Sequence, residues 1–166
     1  PRDRWDYTAT QQIMLADLPL GEGGGNRRVV MQAPKNGFFY VLDAADGELI
    51  SATPFTNQNW TTGEFDENGR PVLVEEAVDL ALYAVVPGPT GAHNWHPMAF
   101  NPDTGLVYIP VNEIPFFYDK TRNVEDANSY WNIGYDAAAG WPVEYPAGTL
   151  DAVADELGIS PTTLRR

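Results

Sequence analysis

Short strands joined by tight glycine turns recur along this chain, and this pattern restricts its possible folds more than any other feature. Residues 38–50 read as one hairpin, with aromatic and β-branched residues before a turn that ends at Gly47. Residues 98–110 repeat the arrangement with Gly105 in the matching position, and a weaker turn at residues 66–69 precedes another strand. The predicted fold class is all-β. The spacing is typical of the blades of a β-propeller or, failing that, of a sandwich or barrel.

Two segments interrupt the strand pattern. The glycine-rich residues 21–26 connect strand-like residues 13–15 and 29–31, and they read as an exposed hairpin loop, because they lack the lysine and following helix of a phosphate-binding loop. Residues 112–141 are aromatic and irregular, and we expect a long loop packed by its own side chains. No long amphipathic helix is expected in the first two thirds of the chain.

The end of the chain differs from the rest. Residues 149–164 have apolar residues at helical spacing, a threonine N-cap and a glycine stop, which predicts a short helical segment. The segment resembles half of a helix-turn-helix, but it is acidic and lacks a basic footprint, so a terminal helix is preferred to a DNA-reading one. We therefore divide the chain into residues 1–140, built from strands, and residues 141–166, a tail with a short helix.

Charge and composition exclude several kinds of partner and site. The formal net charge of -13 repels a phosphate backbone or an anionic membrane, so nucleic acid is not an expected partner. The absence of cysteine excludes disulfides, thiolate metal sites and a haem attachment motif. No apolar run approaches the roughly 20 residues of a membrane helix, and residues 1–7 do not resemble a signal peptide. On these grounds alone, either the protein is cytoplasmic or its true start is missing.

Three short segments hold residues that could take part in chemistry. Asp6 lies between two large aromatic residues, where partial desolvation would make its carboxylate a general base; the alternative is an aspartate at a turn or strand edge. Lys35 lies in a turn that enters a strand, and its amine either reaches an anionic ligand or points into water. The loop at residues 91–97 contains His93 and His96, but no third metal ligand is evident, so the histidines are expected to hold the loop by hydrogen bonds.

These segments occur together and in order with matching surroundings. They are WDYTATQ at residues 5–11, LADL at 15–18, VMQAPKNGFFYVLD at 30–43 and GAHNWHP at 91–97. In this combination they closely resemble the PQQ-dependent alcohol dehydrogenases, especially the quinohaemoprotein branch. The resemblance extends over roughly residues 1–135, and it implies that residues 1–140 are part of an eight-bladed quinoprotein β-propeller.

The resemblance also implies a redox site. Asp6 matches the catalytic aspartate, which takes the alcohol hydroxyl proton while hydride passes to pyrroloquinoline quinone (PQQ), and it is also a ligand of a calcium ion. Lys35 matches the residue that hydrogen-bonds the quinone oxygens. Asn94 and Trp95 match cofactor-contacting positions. Thr8 stands where lanthanide-preferring members have a second aspartate, so the expected metal is calcium.

The resemblance places other parts of such an enzyme outside this chain. The remaining metal ligands, the paired cysteines and the tryptophan that sandwich the quinone are expected upstream, and a haem c domain of the full-length parent is expected downstream. The implied location is the periplasm, with a small alcohol as substrate and a cytochrome or quinone as electron acceptor. We expect the isolated chain to be inactive. The alternative is a non-catalytic, propeller-like binding or interaction module.

Overall fold

The computed structural model describes residues 3–79 and 83–118, and this part of the chain is built almost entirely from strands. The elements are β1 (Met14–Leu18), β2 (Arg27–Gln32), β3 (Phe38–Asp43), β4 (Leu49–Pro54), β5 (Thr61–Phe65), β6 (Pro71–Leu73), α1 (Glu75–Asp79), β7 (Tyr83–Val85), β8 (Ala99–Asn101), β9 (Leu106–Tyr108) and β10 (Phe116–Tyr118), with a 3-10 turn at Glu22–Gly24. Within these two ranges no helix is long and apolar enough to cross a membrane. The predicted all-β class is confirmed.

The largest unit is a four-stranded antiparallel sheet in the order β1-β2-β3-β4. The predicted hairpin at residues 38–50 forms its second half, and the N–H of Gly47 donates to the carbonyl of Asp43 at 3.0 Å. Gly47 has φ +81°, which a residue with a side chain rarely adopts, so the sequence needs glycine to close this turn. The glycine-rich segment joins β1 to β2 as a hairpin loop, as predicted. Four consecutive antiparallel strands are the size of one propeller blade.

Three two-stranded units accompany this sheet: β5 with β6, β8 with β9, and β7 with β10. The β8–β9 turn repeats the β3–β4 turn, because Gly105 has φ +69° and donates its N–H to Asn101 at 2.9 Å. The predicted strand–turn–strand at residues 98–110 is therefore confirmed, and so is the weaker turn before β6.

The interpretation of residues 112–141 as one irregular loop is wrong at its start. Phe116–Tyr118 is a strand, β10, which pairs antiparallel with Tyr83–Val85. The pairing was hidden because the two strands lie far apart in the sequence, and only the folded chain shows that their backbone groups satisfy each other. The rest of that segment, the helix predicted in the tail and the boundary between residues 140 and 141 lie outside the described residues.

Two clusters of buried side chains form the core. One is aromatic, with Trp5, Phe38 and Trp60 in contact, and the ring centroids of Trp5 and Trp60 lie 5.4 Å apart. The indole of Trp5 donates to the carbonyl of Ala77 at 3.0 Å, so this large ring is buried with its one donor satisfied. The second cluster, centred on Val29, packs one face of the four-stranded sheet against the β8–β9 hairpin. The aromatic cluster fixes the segments that flank Asp6 and Lys35.

An ion-pair cluster closes the outer end of the β3–β4 hairpin. The guanidinium of Arg27 on β2 contacts the carboxylates of both Asp43 and Glu48. The N–H of Ala45, followed by the guanidinium of Arg27, lowers the pKa of Asp43 below its usual value. The turn is therefore stabilised more by the ionised carboxylate than by the neutral acid.

Candidate active site

Asp6 has a strained backbone. Its φ is +62°, and among the described residues it is the only one other than glycine with a positive φ. The carboxylate of Asp3 accepts hydrogen bonds from the N–H groups of Trp5 and Tyr7, both at 2.9 Å, and so holds the chain on either side of Asp6. Such a conformation costs about 1–3 kcal/mol and persists only when its surroundings enforce it, which is characteristic of functional positions.

The residues that flank Asp6 anchor it to the core. Trp5 is buried, and the phenol of Tyr7 donates to the carbonyl of Pro87. Burial, with smaller contributions from Tyr118 and Asp3, raises the pKa of Tyr7 well above its usual value, so this phenol keeps its proton and remains a donor. The aspartate turn is thus attached to the core on both sides.

The expected desolvation of Asp6 is wrong. Its side chain is 65% exposed, although both of its neighbours face the core. The positive φ accounts for this, because it turns Asp6 out of the line that Trp5 and Tyr7 follow. The carboxylate is therefore accessible to solvent and is not enclosed between the two aromatic rings.

Lys35 is held in the opposite manner, with only 8% of the residue exposed. It lies in the turn between β2 and β3, and the next two residues of this turn are fixed by side chains from elsewhere. The indole of Trp60 donates to the carbonyl of Asn36 at 3.1 Å, and the amide of Gln58 donates to the carbonyl of Gly37 at 2.6 Å. A long side chain that is usually solvated is here kept in one place.

The structure brings Asp6 and Lys35 into direct contact. The Nζ atom of Lys35 lies 2.9 Å from Oδ2 of Asp6 and 3.0 Å from its backbone oxygen. The residues around Asp6 and Lys35 did not predict this contact, since the sequence left the Lys35 amine either reaching an anionic ligand or pointing into water. Opposite charges at this distance attract strongly where one partner is shielded from water, which explains the contact. The ammonium group also supports the strained turn, because it donates a hydrogen bond to the carbonyl oxygen of Asp6.

The loop at residues 91–97 lies against Lys35. The N–H of Ala92 donates to the carbonyl of Lys35 at 2.9 Å, and Gly91 approaches the Lys35 side chain closely. Asn94 has its amide fixed, because it donates to the carbonyl of Thr90 at 2.9 Å and accepts from Gln11 at 3.3 Å. The loop that carries the candidate cofactor contacts therefore packs directly against the residue that forms the ion pair with Asp6.

Trp95 and the two histidines of this loop differ greatly in exposure. Trp95 is 92% exposed, whereas the ring of His93 is completely buried between two carbonyl groups. The prediction that the histidines hold the loop by hydrogen bonds is confirmed for His93. In residues 3–79 and 83–118, no group of three or more His, Asp or Glu side chains could hold a metal ion.

Two residues of the site were missed by sequence reasoning. Asp3 fixes the turn at Asp6, and the pattern of an aspartate close before a turn could have indicated its role, because aspartate often bonds backbone N–H groups a few residues ahead. Gln11 is buried and orients Asn94, but nothing in the sequence connects these two residues, which lie far apart in the chain.

The chain is similar to several known proteins, although no family model matches it. It is 51% identical over 116 residues to the quinohemoprotein alcohol dehydrogenase of Comamonas testosteroni. This match covers 69% of this chain and 16% of that protein. It is 52% identical over 145 residues to quinohemoprotein alcohol dehydrogenase ADH IIB of Pseudomonas putida, covering 85% of this chain and 20% of that protein. The chain thus spans about a fifth of the length of these curated relatives.

Solved structures agree with the sequence relatives. The quinohemoprotein alcohol dehydrogenase ADHIIG of Pseudomonas putida HK5 matches 78% of this chain and 20% of its own, with a TM-score of 0.68 and 45% identity. A europium-containing methanol dehydrogenase matches 79% of this chain and 22% of its own, with a TM-score of 0.65 and 32% identity. All are dehydrogenases of alcohols. The chain belongs to the PQQ-dependent alcohol dehydrogenase family, and its strands are part of a quinoprotein propeller.

Proposed function

We propose that this chain is part of a periplasmic quinoprotein that oxidises alcohols to aldehydes by hydride transfer to PQQ, and that it supplies the general base and an electrophilic ammonium group. The observation that carries the proposal is the pair of Asp6 and Lys35. The two residues lie far apart in the sequence, yet their charged groups lie 2.9 Å apart, with the aspartate strained and the lysine buried. Strain and burial of this kind concentrate at active sites.

The residues fit the edge of a quinone. The ring of PQQ carries carbonyl and carboxylate oxygens, which are acceptors, and an ammonium group that is fixed and poorly solvated is a strong donor to such oxygens. The Lys35 amine has three donors, of which two point to the oxygens of Asp6. Asn94 has an oriented amide in the adjacent loop, and the exposed indole of Trp95 offers a flat apolar surface at the rim.

In the proposed reaction the two charged groups have separate roles. PQQ, when bound, supplies a two-electron acceptor that takes hydride from the carbinol carbon. The Asp6 carboxylate accepts the hydroxyl proton of the same alcohol, so that the carbon–oxygen bond becomes the carbonyl of the aldehyde. The Lys35 ammonium stabilises the negative charge that develops on the quinone oxygens, and because its position is fixed beforehand it costs little reorganisation at that moment.

Asp6 would also be one ligand of a calcium ion. Calcium takes about six to eight oxygen ligands, so one carboxylate contributes only a small part of the coordination shell. The residue two positions later is Thr8, which has no negative charge to add, and this favours calcium over a lanthanide. In the full-length protein reconstituted with PQQ, calcium should restore dye reduction. Activity with a lanthanide alone, and none with calcium, would contradict this assignment.

A second candidate function follows from the contact between the two charged groups. The charges of Asp6 and Lys35 already neutralise each other within the chain. A non-catalytic binding or interaction module could use such an ion pair to fix a strained turn. In such a module the pair would be structural. The two functions differ in whether removal of the Asp6 charge abolishes turnover or only lowers stability.

The test uses the full-length protein that contains this sequence, supplied with PQQ and calcium and assayed by dye reduction with ethanol. Asp6→Asn keeps the size of the side chain but cannot take up the proton, so kcat should fall roughly 100-fold or more. Asp103→Asn, at an exposed carboxylate in the β8–β9 turn, is the matched control and should leave turnover unchanged. Unchanged turnover in Asp6→Asn would exclude Asp6 as the base, and no turnover in the wild type would support the non-catalytic module.

A further inference from the structure

His93 is the most completely enclosed polar side chain near Lys35, and the proposed reaction does not use it. Its ring has no exposed surface. Nδ1 lies 2.5 Å from the carbonyl oxygen of Ala33, and Nε2 lies 2.7 Å from the carbonyl oxygen of His96. A buried imidazole whose two nitrogens each face a carbonyl oxygen lies between two backbone segments and forms a bridge between them.

One end of this bridge is at the segment that presents Lys35. Ala33 is the first residue after β2, and Lys35 follows it by two residues in the turn. The other end is the loop itself, whose Ala92 N–H also donates to the carbonyl of Lys35 at 2.9 Å. The loop is anchored further by Asn112, whose N–H donates to the carbonyl of Ala92 at 2.7 Å. The position of the Lys35 backbone is therefore set from the loop through two separate bonds.

The donors and acceptors around His93 constrain how the bridge works. A carbonyl oxygen can only accept, so each contact is a hydrogen bond only when that ring nitrogen carries a proton. The neutral ring has one N–H, and both bonds exist together only when the ring carries two. A donor at Nδ1 bonds Ala33 and so holds the turn that carries Lys35, whereas a donor at Nε2 bonds His96 and holds only the loop.

We propose that His93 is a positioning residue for Lys35: through its Nδ1 bond to Ala33 it sets the place of the ammonium group that meets the quinone. This proposal rests on the proposed function, because the bridge is taken to serve the binding of the quinone. His93 itself touches neither the quinone nor the alcohol in this proposal, and it acts only through the backbone.

Two substitutions separate the ends of the bridge. The amide nitrogen of asparagine can replace Nδ1, and that of glutamine can replace Nε2, so His93→Asn keeps the bond to Ala33 and His93→Gln keeps the bond to His96. The measurements are the Kd for PQQ in titrations of the calcium-loaded apoprotein, kcat at saturating PQQ, and the thermal midpoint. The matched control is His96→Gln, a histidine of the same loop with an exposed side chain.

His93→Gln should weaken PQQ binding roughly tenfold, the loss expected from one displaced charge-assisted hydrogen bond, while His93→Asn and His96→Gln stay near the wild type. A role in folding alone would lower the thermal midpoint of both His93 variants and leave the Kd of the folded protein unchanged, and this result would overturn the proposal. If the wild type itself does not bind PQQ, the proposed function fails instead.

A measurement on the wild type covers the case in which the His93 variants do not fold. If the bridge joins the loop and the Lys35 turn, the N–H groups of Ala92 and Gly37 should show the same opening free energy in hydrogen exchange, because they belong to one cooperative unit. Clearly different opening free energies would mean that the loop and the turn move independently, and the proposal would be wrong.

Discussion

Gly91→Ala should destabilise the loop that packs against Lys35. The loss should be larger than for an alanine placed in a turn where the added methyl group contacts nothing. A methyl group at this position would lie 2.4 Å from Cγ, 2.7 Å from Cβ and 2.8 Å from Cα of Lys35. The side-chain carbon could swing away, but Cα belongs to the backbone of a turn that Trp60 and the loop both hold. Gly91 also has φ +82°, which alanine adopts only at a cost.

The expected magnitude has two parts. A residue with a side chain loses about 1–2 kcal/mol in the left-handed conformation. Forcing extra atoms into a packed site costs about 1–3 kcal/mol more. The local opening free energy around Ala92 should therefore fall by about 2–5 kcal/mol, which corresponds to at least a roughly 30-fold faster exchange of its amide hydrogen.

Gly47→Ala is the matched control, because Gly47 has nearly the same φ, +81°, but nothing lies within 4 Å of the added methyl group. It should show the conformational cost alone, about 1–2 kcal/mol at its own hairpin. The assay is hydrogen exchange of the full-length protein, corrected for intrinsic rates, with the Kd for PQQ as a second measurement. Equal effects of the two substitutions would show that no steric contact with Lys35 exists, and the account of the site would lose this support.

Three further predictions concern the core and the hairpin that surround the site. Trp5→Phe leaves a buried carbonyl without its donor and should cost about 1–3 kcal/mol in urea unfolding, whereas Trp95→Phe, at an exposed ring, should cost almost nothing. Phe38→Ala should cost about 3–5 kcal/mol in the same measurement, because the ring is buried among other aromatics; a smaller loss would mean a looser core than the structure has. Because the pKa of Asp43 is lowered, chiefly by the N–H of Ala45, its contribution is full above the unfolded-state pKa and is lost as the pH falls through the lower folded-state value. Asp43→Asn should therefore make stability less dependent on pH below about 4, and an unchanged acid-unfolding curve would contradict this.

Local sequence signals were sufficient for the hairpins. The turns that end at Gly47 and Gly105 were identified because a tight turn requires glycine there, and strand residues flank both. The strand β10 was missed for the opposite reason: its partner, β7, lies far earlier in the chain, and no turn connects the two. Sequence reasoning thus identifies a strand reliably when its partner is adjacent and poorly when the pairing is distant.

The candidate site shows the same limit. Asp6 and Lys35 were selected because the residues around them resemble a known family, and neither burial nor contact could be read from those residues. The exposure of Asp6 was predicted incorrectly, since the local sequence places it between two aromatics but does not reveal the positive φ that turns it outward. The position of the turn that carries Lys35 depends on Trp60 and on the 91–97 loop, which come from later parts of the chain.

The two charged groups of the site are therefore held unequally, and this inequality suits the chemistry proposed. The ammonium group of Lys35 is fixed by its own turn, by the loop behind it and by Asp6, so its charge is in place before any reaction begins. The carboxylate of Asp6 is held by its backbone and by one contact with Lys35, but its side chain is 65% exposed and remains open to an arriving hydroxyl group. A preorganised electrophile and an accessible base are what removal of a hydride and a proton from one alcohol requires. Exchanging the two, as Asp6→Lys with Lys35→Asp, would keep the ion pair but place the base in the buried position, so stability should survive better than turnover.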